Sequence, residues 1–142
     1  MNSFDYFGQT ASHVFGLYGA WAKSRGLNYA TLAVLHALTK NTAHTQKDIC
    51  TEWALPKQTI SATCQKLHKD GLLAFDSATD GREKVLYLTE HGRAYALSII
   101  GELDEIENRA VAKFGAKRGD KFVSEMRAFV GELERVMSEA GS

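Results

Sequence analysis

The chain has 142 residues, 44% hydrophobic and 24% charged, with 17 Lys and Arg against 17 Asp and Glu. That length and balance fit one globular domain with its own core and exclude global disorder. Zero net charge counts against a protein that coats nucleic acid regardless of sequence, two cysteines make no disulfide framework, and no apolar run nears the ~20 residues that span a bilayer.

The segment MNSFDYFGQT carries an acid and no positive stretch, so it does not read as a secretory signal, and the expected compartment is the cytoplasm. A single proline, Pro56, favours long helices. Charge is segregated along the chain. Lys57 to Lys69 holds three lysines and no acid, and Glu102 to Glu107 holds four acids and no base. A local basic face on a neutral whole follows.

From Ser3 to Ser24 the residues Phe4, Phe7, Ala11, Val14, Phe15, Tyr18 and Trp21 recur in threes and fours, the spacing of one helical face. Gly8, Gly16 and Gly19 weaken the helix by about 1 kcal/mol each, so it needs packing, either on its own core or on a second copy. Arg25 to Asn28 breaks it at Gly26. A second helix, Tyr29 to Thr39, directs Leu32, Leu35 and Leu38 inward, with His36 near that face. His36 there reads first as a packing residue.

Thr45 to Asp48 fits a capping box, with a hydroxyl at the cap and an acid three residues on. It opens a short helix with Ile49 and Trp53 inward. Ala54 and Leu55 form a turn, and Pro56 suits the first position of the next helix. That helix, Pro56 to Asp70, has two faces. Ile60, Cys64 and Leu67 fall on the core side; Gln58, Ser61, Ala62, Gln65 and Lys69 fall on the other. The outer face holds amides, hydroxyls and cations but no carboxylate. Gln reads adenine edges bidentately and Lys binds phosphate.

Gly71 ends that helix. Leu72 to Ser77 and Glu83 to Leu88 read as two strands around Ala78-Thr79-Asp80-Gly81, an Asp-Gly turn. Leu73 and Phe75 point inward on one strand; Val85 with Tyr87, or Leu86 with Leu88, do so on the other. Asp80 is placed to fix the Arg82 guanidinium, and Arg82 at a hairpin tip suits a narrow minor groove. Thr89 caps a fifth helix from His91 to about Ala116, with Ile99, Leu103, Ile106, Ala110 and Phe114 in one stripe. Lys117 to Asp120 reads as a break. A last helix follows with Phe122, Met126, Phe129, Leu133 and Val136 in another stripe. This much apolar face argues for an obligate homodimer built from both ends of the chain.

The run Asp80-Gly81-Arg82-Glu83-Lys84-Val85-Leu86-Tyr87-Leu88-Thr89-Glu90-His91-Gly92 resembles the wing signature of the MarR family of bacterial regulators. Leu67-His68-Lys69-Asp70-Gly71-Leu72-Leu73 is similar to that family's recognition-helix exit. The likeness is specific across Thr45 to Gly92 and extends over the chain in helix order. It implies a mainly α winged helix-turn-helix with long terminal dimerisation helices and a two-stranded wing. It implies one domain over 1–142, with a helical dimerisation region at 1–28 and 90–142 and a DNA-binding lobe at 29–89. Two departures stand out. Ala74-Phe75-Asp76 replaces a basic residue, which removes one phosphate contact, and the recognition helix has no arginine, so base readout rests on Gln58, Ser61 and Gln65.

The expected function is a sequence-specific transcriptional regulator, a ligand-responsive repressor acting as a homodimer on pseudo-palindromic double-stranded DNA. The DNA-binding set is Thr45, Gln46, Lys47, Lys57, Gln58, Thr59, Ser61, Ala62, Gln65, Lys66, Lys69, Asp80, Arg82 and Lys84. Tyr18, Trp21 and His36 form the candidate site for a small aromatic or phenolic effector. The alternative is a winged-helix protein-interaction module without DNA binding. An enzyme is not expected, because no nucleophile–base spacing or phosphate-binding glycine loop occurs. No cofactor and no membrane partner are expected. No metal is expected either: His13, His36, His44, His68 and His91 form no i, i+3 or i+4 pair. Cys50 and Cys64 read as small buried hydrophobes.

Overall fold

The computed structural model describes residues 2–76 and 83–141. Among these, six helices and one two-stranded antiparallel sheet follow a short 3₁₀ turn at Ser3–Tyr6. The chain divides into two compact units, residues 1–101 and 102–142.

The first unit is centred on α2 (Tyr29–Lys40), whose Leu32, Ala33, Val34, Leu35, Ala37 and Leu38 are all buried. A helix this apolar must be covered on most sides. Its start is fixed by Asn28, whose side chain accepts from the Thr31 N–H. α1 (Phe7–Ser24) precedes it, and the chain turns away just beyond it at Gly26, which has φ +76°. Only Ala22 of α1 is buried, and Val14, Phe15 and Leu17 are exposed.

α3 (Gln46–Trp53) and α4 (Lys57–Lys69) follow. The Thr45 hydroxyl accepts from the Asp48 N–H, the first half of the expected capping box. Ala54 turns the chain with φ 50°, a left-handed conformation that costs a non-glycine residue. Pro56 is the cap residue with φ −61° and ψ 143°, one position before the expected helical one. Its extended ψ sets the angle at which α4 leaves the turn. Ile60, Cys64 and Leu67 are buried as expected, joined by Thr63, whose hydroxyl donates to the Thr59 carbonyl.

β1 (Leu73–Phe75) and β2 (Leu86–Leu88) pair with Leu73 opposite Leu88 and Phe75 opposite Leu86. Both are shorter than expected. The register settles which face is inward: Leu86 and Leu88 are buried, and Val85 and Tyr87 are exposed. The turn expected at Ala78 to Gly81 lies outside the described residues.

α5 (Glu90–Phe114) starts beside this hairpin. The Thr89 hydroxyl accepts from the Gly92 N–H and donates to the Gly71 carbonyl at 2.7 Å, while the Thr89 N–H donates to the Leu72 carbonyl. Gly71 itself has φ +77°. Helix-turn-helix plus short hairpin is the winged helix-turn-helix architecture.

The second unit holds the rest of α5 and α6 (Ala116–Ala140). The expected break at Lys117 to Asp120 is a correction. Those residues are helical, and the chain turns at Gly115, whose φ of +113° is a backbone region that L side chains avoid. Gly119 is buried, and a β-carbon there would meet Val111 at 3.3 Å. The Phe114 and Phe122 rings meet edge-on at 6.0 Å, and the Arg118 guanidinium lies over Phe114. Much of the α6 stripe is exposed, including Phe122, Met126 and Val136.

Candidate nucleic-acid interface

At 100° per residue, Gln58, Ala62, Gln65 and Lys69 fall within about 60° on α4. All four are exposed, as are Lys57, Thr59 and Lys66; Ser61 is half-buried at the edge. The outer face of α4 therefore offers two amides, a threonine hydroxyl and lysines. Its carboxylate neighbour is Asp70 at the C-cap, which the Lys66 ammonium meets at 3.4 Å. Both groups are open to water, so this pair adds little and leaves Lys66 able to exchange partners.

The capping hydroxyl of Thr45 is already used by Asp48. Gln46 and Lys47 line a cleft of about 610 Å³ between α3, the start of α4 and the root of the hairpin. Cys50 and Thr51 of α3, Lys57 of α4, Phe75 of β1, and Glu83, Lys84 and Leu86 complete its lining. Four residues expected to meet DNA, Gln46, Lys47, Lys57 and Lys84, are thus gathered around one cationic opening. The Lys84 ammonium lies 5.7 Å from the centre of the Phe75 ring. Phe75 also packs on His68 at 4.9 Å, and the His68 Nδ1–H donates to the Leu73 carbonyl. Lys66 lines a second cavity of about 290 Å³ with Asn28, Thr31, Asp70 and Tyr95. Asp80 and Arg82 lie outside the described residues.

The root of the hairpin carries a residue that the sequence did not single out. The Glu83 carboxylate accepts from the Lys47 N–H at 2.9 Å, in the first turn of α3. Its signal was its place beside Arg82 and Lys84, but an acid between two bases reads as ordinary charge alternation.

The candidate effector residues are distributed differently. Trp21 of α1 carries the Arg25 guanidinium over its face at 4.6 Å. His36 of α2 meets Trp53 edge-on at 5.2 Å, Trp53 meets Tyr29 at 5.9 Å, and Tyr29 meets Phe15 at 4.2 Å. Tyr18 is half-buried on α1. None of the three lines the 610 or 290 Å³ cavity. The indole N–H groups of Trp21 and Trp53 are buried without a hydrogen-bond partner among the described residues. Burial pushes the Tyr29 hydroxyl above its ordinary value.

Cys50 is half-buried in the cleft and Cys64 fully buried; neither is in a disulfide. Burial, with a smaller contribution from Cys50, pushes the Cys64 thiol up to about 12. No group of three or more His, Cys, Asp and Glu able to hold a metal occurs among the described residues. No helix among them is long and apolar enough to cross a membrane.

The model of the MarR family matches residues 25–83. A MarR family regulator from Neisseria meningitidis is 34% identical, covers 98% of this chain and 99% of its own, and superposes with a TM-score of 0.87. The DNA complex of Staphylococcus aureus MepR is 20% identical, with 94% of this chain and 99% of that one covered and a TM-score of 0.68. Staphylococcus aureus MarR bound to salicylate and kanamycin is 22% identical, with coverages of 78% and 74% and a TM-score of 0.60. No curated protein matches the sequence.

Proposed function

The chain belongs to the MarR family of transcription regulators, and we propose that it is a sequence-specific repressor acting as a homodimer on pseudo-palindromic DNA. The observation that carries this reading is the outer face of α4, where exposed Gln58, Gln65 and Lys69 stand clear of any carboxylate within the helix. A solvated helix of this length ordinarily mixes both signs. In this reading α4 lies in the major groove with Gln58, Ser61 and Gln65 at base edges. Lys57, Thr59, Ala62, Lys66 and Lys69 flank it, while Thr45, Gln46 and Lys47 approach the backbone from α3. Lys84 meets phosphate beside the wing, with Arg82 and Asp80 carrying the minor-groove contact. Staphylococcus aureus MepR, which shares the fold and was solved on DNA, supports DNA as the ligand.

Residues 29–89 form the DNA-binding lobe, and residues 1–28 and 90–142 the dimerisation region. Exposed Val14, Phe15 and Leu17 on α1, and Phe122, Met126 and Val136 on α6, support the dimer, because a lone chain would leave them in water. A small aromatic effector would sit near Tyr18, Trp21 and His36. The aromatic cluster of Phe15 on α1 with Tyr29, Trp53 and His36 supports this as an apolar surface for such a ring. Salicylate in Staphylococcus aureus MarR is a precedent of matching chemistry.

Hydroxyl-radical footprinting on the DNA upstream of the chain's own gene tests the reading of a dimer on a pseudo-palindrome. The expected footprint is two protected half-sites whose centres lie about 34 Å apart, one helical turn. A single unpaired half-site, or none, would contradict it.

A further inference from the structure

Two hydrogen bonds join the second limb of the hairpin to His44, just before α3, and to the first turn of α3. The Leu86 N–H donates to the His44 carbonyl at 2.7 Å, and the Lys47 N–H donates to the Glu83 carboxylate at 2.9 Å. Beside them the chain is loosely filled, because the 610 Å³ cleft lies between α3 and the hairpin root. Among the described residues the strands pair over three residues each, with the Asp76 N–H donating to the Val85 carbonyl beyond them. Buried Leu73, Leu86 and Leu88 seat the strands on the core, while the two bonds fix the hairpin root on the start of α3. Glu83 is also well matched to its partner. The first N–H groups of a helix lack intrahelical acceptors, and a carboxylate there is favoured by the helix dipole. Thr45 satisfies Asp48, and Glu83 satisfies Lys47.

We propose that Glu83 is a positioning residue for DNA binding: its carboxylate braces the wing root on the first turn of α3 and so sets the spacing between the wing and α4. Because the turn at Ala54 to Pro56 joins α3 to α4, a wing fixed on α3 is fixed relative to α4. Lys84, the next residue, inherits that placement. Glu83 touches no base or phosphate in this account, which rests on the DNA-binding reading above.

Anisotropy titrations on the footprinted duplex compare the wild type with Glu83→Ala, Glu83→Gln, Lys84→Ala and the double variant Glu83→Ala/Lys84→Ala. A lost bond to a charged acceptor at an exposed site predicts binding about three- to tenfold weaker for Glu83→Ala. Glu83→Gln keeps an acceptor and stays within about twofold of the wild type. In the double variant the losses fall short of additive, because the misplaced Lys84 has already lost its contact. Tighter binding by both Glu83 variants would overturn the proposal, since the carboxylate would then only repel phosphate. Unchanged binding by both, or fully additive losses, would overturn it as well. If the wild type itself prefers no duplex, the DNA-binding reading fails first, whereas a specific wild type with indifferent variants removes the brace alone.

Discussion

Gly92 approaches Leu72 so closely that a β-carbon built on it would lie 1.7 Å from the Leu72 carbonyl oxygen. The same carbonyl accepts the Thr89 N–H, and the Thr89 hydroxyl joins Gly71 to Gly92. The two sequence signatures, Gly71-Leu72 and Leu88-Thr89-x-x-Gly92, are thus the two halves of one clasp. Gly92→Ala is expected to cost about 3 kcal/mol or more, since backbone and not a pliant side chain must yield. Gly101→Ala, on the same helix with nothing within 4 Å, is expected to stabilise by about 0.5–1 kcal/mol. Urea denaturation of the two variants checks both signs.

Base readout and phosphate binding separate by residue on α4. Gln65→Ala is expected to cost about 1–3 kcal/mol on the specific duplex and to leave random duplex unaffected. Lys57→Ala is expected to weaken both and to lower the salt slope by about one counterion. Titrations on each duplex at three salt concentrations distinguish the two patterns.

The thiols are expected to differ in reach. Iodoacetamide at pH 8 should label Cys50, which lines the cleft, and spare Cys64 until the chain unfolds. The raised Cys64 value also carries a pH dependence. Below about 9, its ordinary value, the thiol is protonated in both states and its contribution to stability is fully present. Between about 9 and 12 the unfolded chain releases the proton while the folded chain holds it, so stability falls as pH rises through that window. Urea midpoints at pH 8, 10 and 11 should decline more steeply for the wild type than for Cys64→Ala.

The exposed stripe of α6 is expected to be an interface between two copies. Met126→Asp with Phe122→Asp should convert a dimer to a monomer in sedimentation, and operator affinity should fall at least about hundredfold as each copy binds one half-site alone.

The helix-turn-helix was legible because its signals are local. A hydroxyl cap at Thr45, a lone proline, and the 3.6-residue spacing of Ile60, Cys64 and Leu67 each act within one or two turns. The hairpin face was not, because Val85, Leu86, Tyr87 and Leu88 are all apolar and only the pairing of Leu73 with Leu88 decides between them. The α5–α6 junction was misplaced for a related reason. Lys117 to Asp120 is charged like a loop, yet the turn needs only Gly115 in a conformation other residues avoid. Glu83 escaped notice because its acceptor role depends on an N–H 36 residues away.

A fluorescence-anisotropy titration decides whether α4 reads DNA. Purified protein is titrated onto the duplex upstream of its own gene at two salt concentrations, with random duplex as competitor. Binding that survives the competitor and falls steeply with salt is expected, as phosphate contacts release counterions. An intact dimer with no preference for that duplex over random DNA would contradict it and favour a winged-helix module that binds another protein.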